Sequence, residues 1–65
     1  MPIVQITLLQ GRSVEQKRKL AARVTDALVE ECGASRDAVI VTMVEVTKED
    51  YAHGGTLLID RKPSS

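Results

Sequence analysis

The sequence predicts an α/β protein: a single βαβ protomer with parallel first and second strands, a short C-terminal β-hairpin, and assembly into an oligomer. Three observations lead there. A β-branched apolar run precedes a helix-periodic segment, and a second β-branched run follows it. A crossover of that length joins parallel strands and is right-handed. Both faces of the two strands are apolar, yet the chain has one helix with which to cover them.

The first strand is IVQITLL (3–9), with Val4, Ile6 and Leu8 on one face and Ile3 and Leu9 on the other. QGR ends the run. In SVEQ, Ser13 stands as N-cap with Gln16 three residues on, the pattern of a capping box. The helix predicted from Val14 to Cys32 places Leu20, Ala21, Val24, Ala27, Leu28 and Cys32 on its apolar face. Its other face is charged, and Glu15 four residues before Lys19 is a favourable pair. Gly33 closes the helix. ASRD is a short loop before the second strand, VIVTMVEV (39–46). There Val39, Val41 and Met43 alternate with Ile40, Val44 and Val46. TKEDY reads as a turn or one helical turn, AHGG as a bend, TLLI (56–59) as a third strand and DRKPSS as a polar tail.

A chain of 65 residues is read as one domain, 1–65. At that size only about 60% of the unfolded surface is buried, so a staple is expected. Cys32 is the only cysteine, which excludes an internal disulfide, and Cys32 with His53 is too small a ligand set for a metal cage. Self-association remains. Nine Lys and Arg balance nine Asp and Glu, and Tyr51 is the only aromatic residue. That composition argues against nucleic acid and against an anionic membrane as partner. No apolar run approaches the roughly 20 residues of a membrane span, and the N-terminus lacks a signal-type pattern. A cytoplasmic setting is expected.

The usual catalytic signatures are missing: no Gly-rich phosphate loop, no HExxH, no Ser/His/Asp set, and no motif for a cofactor. His53 reads as an exposed turn residue. Pro2 is more informative. A proline at a strand start usually shapes the backbone, but removal of Met1 would turn Pro2 into a free secondary amine. An α-amine titrates near neutrality, and apolar neighbours such as Ile3 disfavour its charged form. Such a base suits general acid–base chemistry at neutral pH. Arg12, in the turn before the helix, can grip a carboxylate bidentately. Ten extended positions separate Pro2 from Arg12 by roughly 30 Å, so a shared site requires Arg12 from a neighbouring chain.

The stretch PIVQITLLQGRSVEQKRKL resembles the start of the 4-oxalocrotonate tautomerase family, in which an N-terminal Pro-Ile leads a strand into Gly-Arg-Ser and a Glu-Gln-Lys helix. TKEDYAHGG is similar to that family's aromatic-plus-Gly-Gly hairpin. The resemblance covers nearly the whole chain. It implies a βαβ protomer in a homohexamer, a trimer of dimers, acting without a cofactor on a small-molecule carboxylic acid. It also implies Pro2 as general base and Arg12 of a neighbouring subunit as carboxylate ligand. Tyr51 falls at the family's aromatic wall, and its hydroxyl can hydrogen-bond a substrate oxygen.

Ile40 departs from the pattern, standing where the best-known members carry a second arginine. An isoleucine cannot hold a carboxylate, so the substrate expected is a 2-hydroxy-dienoate or enolpyruvate with one carboxylate and an apolar or aromatic remainder. Arg36, Arg61 and Lys62 are cations that could reach the site in place of that arginine, though a surface role is the simpler reading of each; Lys48–Asp50 read as a polar turn, and Cys32 and Met43 as packing residues. Ile40 also supports a reading of another class: a non-catalytic oligomerising subunit, or one partner of a mixed assembly.

Overall fold

A computed structural model describes residues 2–61. Met1 and the tail beyond Arg61, including Lys62, lie outside the described residues. Strand β1 (Ile3–Leu9), helix α1 (Val14–Cys32) and strand β2 (Ile40–Val46) form the βαβ unit. A two-residue antiparallel pair, β3 (Ala52–His53) and β4 (Thr56–Leu57), follows as the C-terminal hairpin. Among the described residues no helix is long and apolar enough to cross a membrane.

Strands β1 and β2 pair in parallel, from Ile3 opposite Ile40 to Leu9 opposite Val46. The pairing continues at each end, where the Ile40 N–H donates to the Pro2 carbonyl (3.0 Å) and the Gln10 N–H to the Val46 carbonyl (2.9 Å). Because side chains alternate, the register sorts them cleanly. Val4, Ile6 and Leu8 share one face with Val41, Met43 and Glu45. Ile3, Gln5, Thr7 and Leu9 share the other with Ile40, Thr42, Val44 and Val46.

The helix starts at the capping box. The Gln16 N–H donates to Ser13 Oγ (3.1 Å) and the Ser13 N–H to Gln16 Oε1 (2.8 Å), which satisfies two donors that a bare helix end would leave unpaired. At the other end the Gly33 N–H reaches the Val29 carbonyl (3.2 Å) and the Ala34 N–H the Leu28 carbonyl (3.3 Å). Lys17 donates to Glu45 Oε2 at 2.6 Å and so ties the first turns of α1 to the far end of β2. Both side chains are about a third exposed, so the pair contributes about 0.2–1 kcal/mol.

The half-buried row of α1 is Lys17, Ala21, Val24 and Leu28, flanked by Thr25 and Val29. Leu20, Ala27 and Cys32, predicted on the apolar face, are exposed. The helix is thus turned toward the Thr25 side, where Lys17 meets Glu45, and its last turn leaves Cys32 without cover. Glu15 contacts Arg18 (3.3 Å) rather than Lys19.

Strand β2 begins one residue later than its sequence predicts. Val39 closes a 3-10 turn (Arg36–Ala38) by donating its N–H to the Arg36 carbonyl. The third strand is also cut short. Once the Leu58 N–H has bonded to the Tyr51 carbonyl (2.8 Å), the partner strand ends, and Leu58–Asp60 coil into another 3-10 turn.

One sheet face is covered by α1, and among the described residues nothing covers the other. On that second face Ile3 is 67% exposed, Val44 44% and Ile40 40%. The accessible area, 5216 Å², exceeds the roughly 4,100 Å² expected of a folded monomer of this length. The radius of gyration, 15.3 Å, likewise exceeds the roughly 11 Å of a compact chain of this length. The protomer is an open, elongated unit of 44 × 24 × 19 Å.

Candidate functional site

The residues singled out in the sequence divide between the two ends of the sheet. Pro2 stands just before β1, half-buried, and its carbonyl accepts the N–H of Ile40. Pro2 and Ile40 therefore belong to one end, beside the exposed side chain of Ile3. No cation of the chain is hydrogen-bonded or ion-paired there among the described residues.

Arg12 belongs to the opposite end. It follows Gly11, whose φ of 127° is open to glycine and strained for other residues, so the chain turns sharply out of β1. Arg12 lines a groove of about 420 Å³ with Leu9, Gln10, Val46, Thr47 and Lys48. Lys48, read in the sequence as part of a polar turn, is a second cation there. Among the described residues neither Arg12 nor Lys48 has a carboxylate within 4.0 Å. The neighbouring carboxylate, Asp50, is held within its own turn: Thr47 Oγ1 donates to Asp50 Oδ2 (2.7 Å). Two cations without counter-charge beside apolar Leu9 and Val46 make a groove that attracts a small anion.

The hairpin leaves from this same end, three residues beyond Lys48. Its turn is built on Gly54 and Gly55, with φ of 55° and 88°, the left-handed pair that a two-residue hairpin loop requires. Tyr51 is partly exposed, and its Oη lies 2.6 Å from Nε2 of His53. Nδ1 of the same imidazole lies 2.7 Å from Nη1 of Arg61. The two rings are tilted by 49° with centroids 5.0 Å apart.

In the sequence His53 reads as an exposed turn residue, and Arg61 as a tail cation that could reach toward the site but is more simply solvated. Two signals bear on them. Tyr51 and His53 are two positions apart on an extended segment and so share a face. A two-residue loop then folds the chain back, which brings residue 61 to the same place. Arg36, by contrast, is a surface cation as predicted, bound to Asp26 at 2.7 Å. A single protomer thus presents two separate halves, Pro2 with Ile40 at one end and Arg12 with the Tyr51 hairpin at the other.

Comparison with known proteins gives a consistent answer. The family model described as Tautomerase enzyme matches residues 2–61. The chain is 43% identical over 60 residues to the 2-hydroxymuconate tautomerase of Bacillus subtilis (strain 168), a match spanning 92% of this chain and 97% of that protein. Its structure is similar to that of YwhB, a homologue of 4-oxalocrotonate tautomerase. There the TM-score is 0.90 and the identity 41%, over 94% of this chain and 100% of the other. It is also similar to the heterohexamer 4-oxalocrotonate tautomerase of Chloroflexus aurantiacus J-10-fl, with a TM-score of 0.88 and 29% identity over 95% and 100% of the two chains.

Proposed function

Because this chain belongs to the tautomerase enzyme family and is an isomerase, we propose that it ketonises an enol acid bearing one carboxylate, with the amine of Pro2 as general base. Met1 is removed first, since an amide nitrogen can neither accept nor return the proton. The neutral amine then takes the 2-hydroxyl proton of the enol, and the resulting ammonium returns a proton to carbon. No proton is gained or lost overall. Arg12 holds the carboxylate through paired N–H donors and stabilises charge as the enolate forms.

The observation that carries this reading is the division of the protomer. Among the described residues its amine-bearing end has no paired or hydrogen-bonded cation, and Arg12 stands at the opposite end of the same strand. Each completes the other when a neighbouring subunit supplies Arg12. The uncovered sheet face gives the chain a physical reason to associate, and a homohexamer built as a trimer of dimers is the assembly proposed. Ile40, beside Pro2, favours an apolar or aromatic remainder over a second carboxylate, so an aryl-substituted enolpyruvate is the proposed substrate type and Tyr51 part of its wall.

The test begins with an intact mass of the purified protein, which must lack methionine. Ketonisation of a simple enolpyruvate should then fall at least about a hundredfold in Pro2→Ala and stay near wild type in Arg36→Ala. Equal turnover by wild type and Pro2→Ala would end the proposal. Ile40 also supports a second reading, in which this chain is one subunit of a mixed assembly and its partner brings the missing cation. Activity that arises only on mixing with a related chain would establish that reading instead.

A further inference from the structure

The chain Tyr51–His53–Arg61 has a direction, and the direction follows from donor arithmetic. A guanidinium has only N–H donors. Arg61 Nη1, 2.7 Å from His53 Nδ1, must therefore donate to it, and Nδ1 must be unprotonated. The proton of the neutral imidazole then resides on Nε2, 2.6 Å from Tyr51 Oη. Nε2–H donates, and the phenol oxygen accepts. This leaves the Tyr51 hydroxyl hydrogen with no protein acceptor among the described residues, on a side chain that is 37% exposed. A positive charge, a ring N–H and an O–H are lined up in series, and the outermost group is a donor.

From this arrangement we propose that Tyr51 donates a hydrogen bond to the 2-oxygen of the substrate, with His53 and Arg61 as positioning residues that keep its hydroxyl pointed outward. The relay does at a distance what an arginine in place of Ile40 would do by contact. It meets the negative charge that develops on the 2-oxygen when Pro2 removes the hydroxyl proton. The proton shared with Tyr51 remains on Tyr51 throughout, so the balance of the reaction is unchanged. The proposal rests on the tautomerase site described above and deepens it by naming the group that recognises the 2-oxygen. It further predicts that acids carrying an oxygen at carbon 2 are distinguished from those without one.

Ketonisation of an enolpyruvate by wild type, Tyr51→Phe, His53→Ala, His53→Gln, Arg61→Ala and Pro2→Ala tests this. Removing one donor from an oxyanion typically lowers kcat by about a hundredfold, and a tenfold or greater loss with little change in KM is expected for Tyr51→Phe. His53→Ala and Arg61→Ala should lose part of that. His53→Gln should recover some of it, because an amide can accept from Arg61 and donate to Tyr51. In the double variant Tyr51→Phe/His53→Ala the loss should match that of Tyr51→Phe alone. Wild-type kcat in Tyr51→Phe, or additive losses in the double variant, would overturn the relay. Loss of activity in Pro2→Ala with full activity in Tyr51→Phe would overturn the relay and leave the base intact, and the reverse pattern would do the opposite.

A binding measurement decides the matter even without turnover. Tyr51 is the only tyrosine and the chain has no tryptophan, so its ultraviolet emission reports on this one hydroxyl. In the Pro2→Ala protein, 4-methyl-2-oxopentanoate should perturb that emission more than 4-methylpentanoate at equal occupancy. The difference should vanish in His53→Ala. Identical responses to the two acids would refute the proposal.

Discussion

At the residue scale, the proposed site gives Ile40 the most leverage over substrate choice. It sits beside Pro2 at an end of the sheet where no arginine or lysine is paired or bonded among the described residues. Ile40→Arg introduces a charged donor there. A hydrogen bond to a charged group is worth about 1.5–3 kcal/mol, so kcat/KM for the dicarboxylate 2-hydroxymuconate is expected to rise about tenfold or more over wild type. Steady-state kinetics on that substrate, with an aryl enolpyruvate as control, gives the answer. The same residue shows what is legible in a sequence. Pro2 and Arg12 can be proposed from their own chemistry in the sequence, and Ile40 and Tyr51 from the family resemblance. Arg61 is visible only as one of several cations, and His53 and Lys48 not at all, because their significance comes from what the folded chain brings near them. Lys48 matters through the groove it shares with Arg12, and His53 through contacts to residues on both sides of a turn.

At the scale of elements, the strand–helix–strand order was fully legible, since each element carries its own periodicity and its own end signals. The capping box of α1 is one such signal. Ser13→Ala removes one side-chain acceptor and one half of the reciprocal pair, and is expected to cost about 1 kcal/mol of stability, measurable by denaturant unfolding at fixed protein concentration. Less legible was the rotation of the helix on the sheet. Leu20 and Ala27 belong to the same broad apolar arc as Ala21, Val24 and Leu28, and composition does not say which part of the arc faces inward; Cys32 continues the inward row but lies in the last turn, where it is exposed. The Lys17–Glu45 contact joins two elements and leaves no trace in the periodicity of either. The hairpin offers another test. Gly55→Ala meets no atom within 4 Å but must hold a φ of 88°. The left-handed conformation costs a non-glycine residue on the order of 1–2 kcal/mol. A loosened turn should also weaken the Tyr51 emission response described above.

At the scale of the whole molecule, the open sheet face decides the behaviour. A protomer with no fully buried residue among the described ones, and with Ile3, Ile40 and Val44 exposed on one side, is poorly equipped to be stable alone. Association should therefore appear as a melting temperature that rises with protein concentration, since whatever binds only the folded state stabilises it by mass action. Val44→Asp places a charge at the centre of that face and should shift the protein to smaller species in size-exclusion chromatography and lower its melting temperature. A Val44→Asp protein that keeps both the size and the melting temperature of wild type would show that this face is not the interface. Co-refolding of Pro2→Ala with Arg12→Ala tests the division of the site. Random mixing of subunits in a symmetric assembly unites an intact Pro2 with an intact Arg12 in about one site in four. Two inactive preparations should thus yield an active mixture.

The placement of Pro2 and Arg12 at opposite ends of one strand also bears on heredity. If the site is shared as proposed, then after a gene duplication one copy can lose its arginine and the other its amino-terminal proline without abolishing the joint activity, because each defective chain still lends its sound end to the other. Neither copy can then be discarded. Drift alone, with no gain in performance, would be enough to turn the proposed assembly of identical chains into an obligate partnership of two kinds.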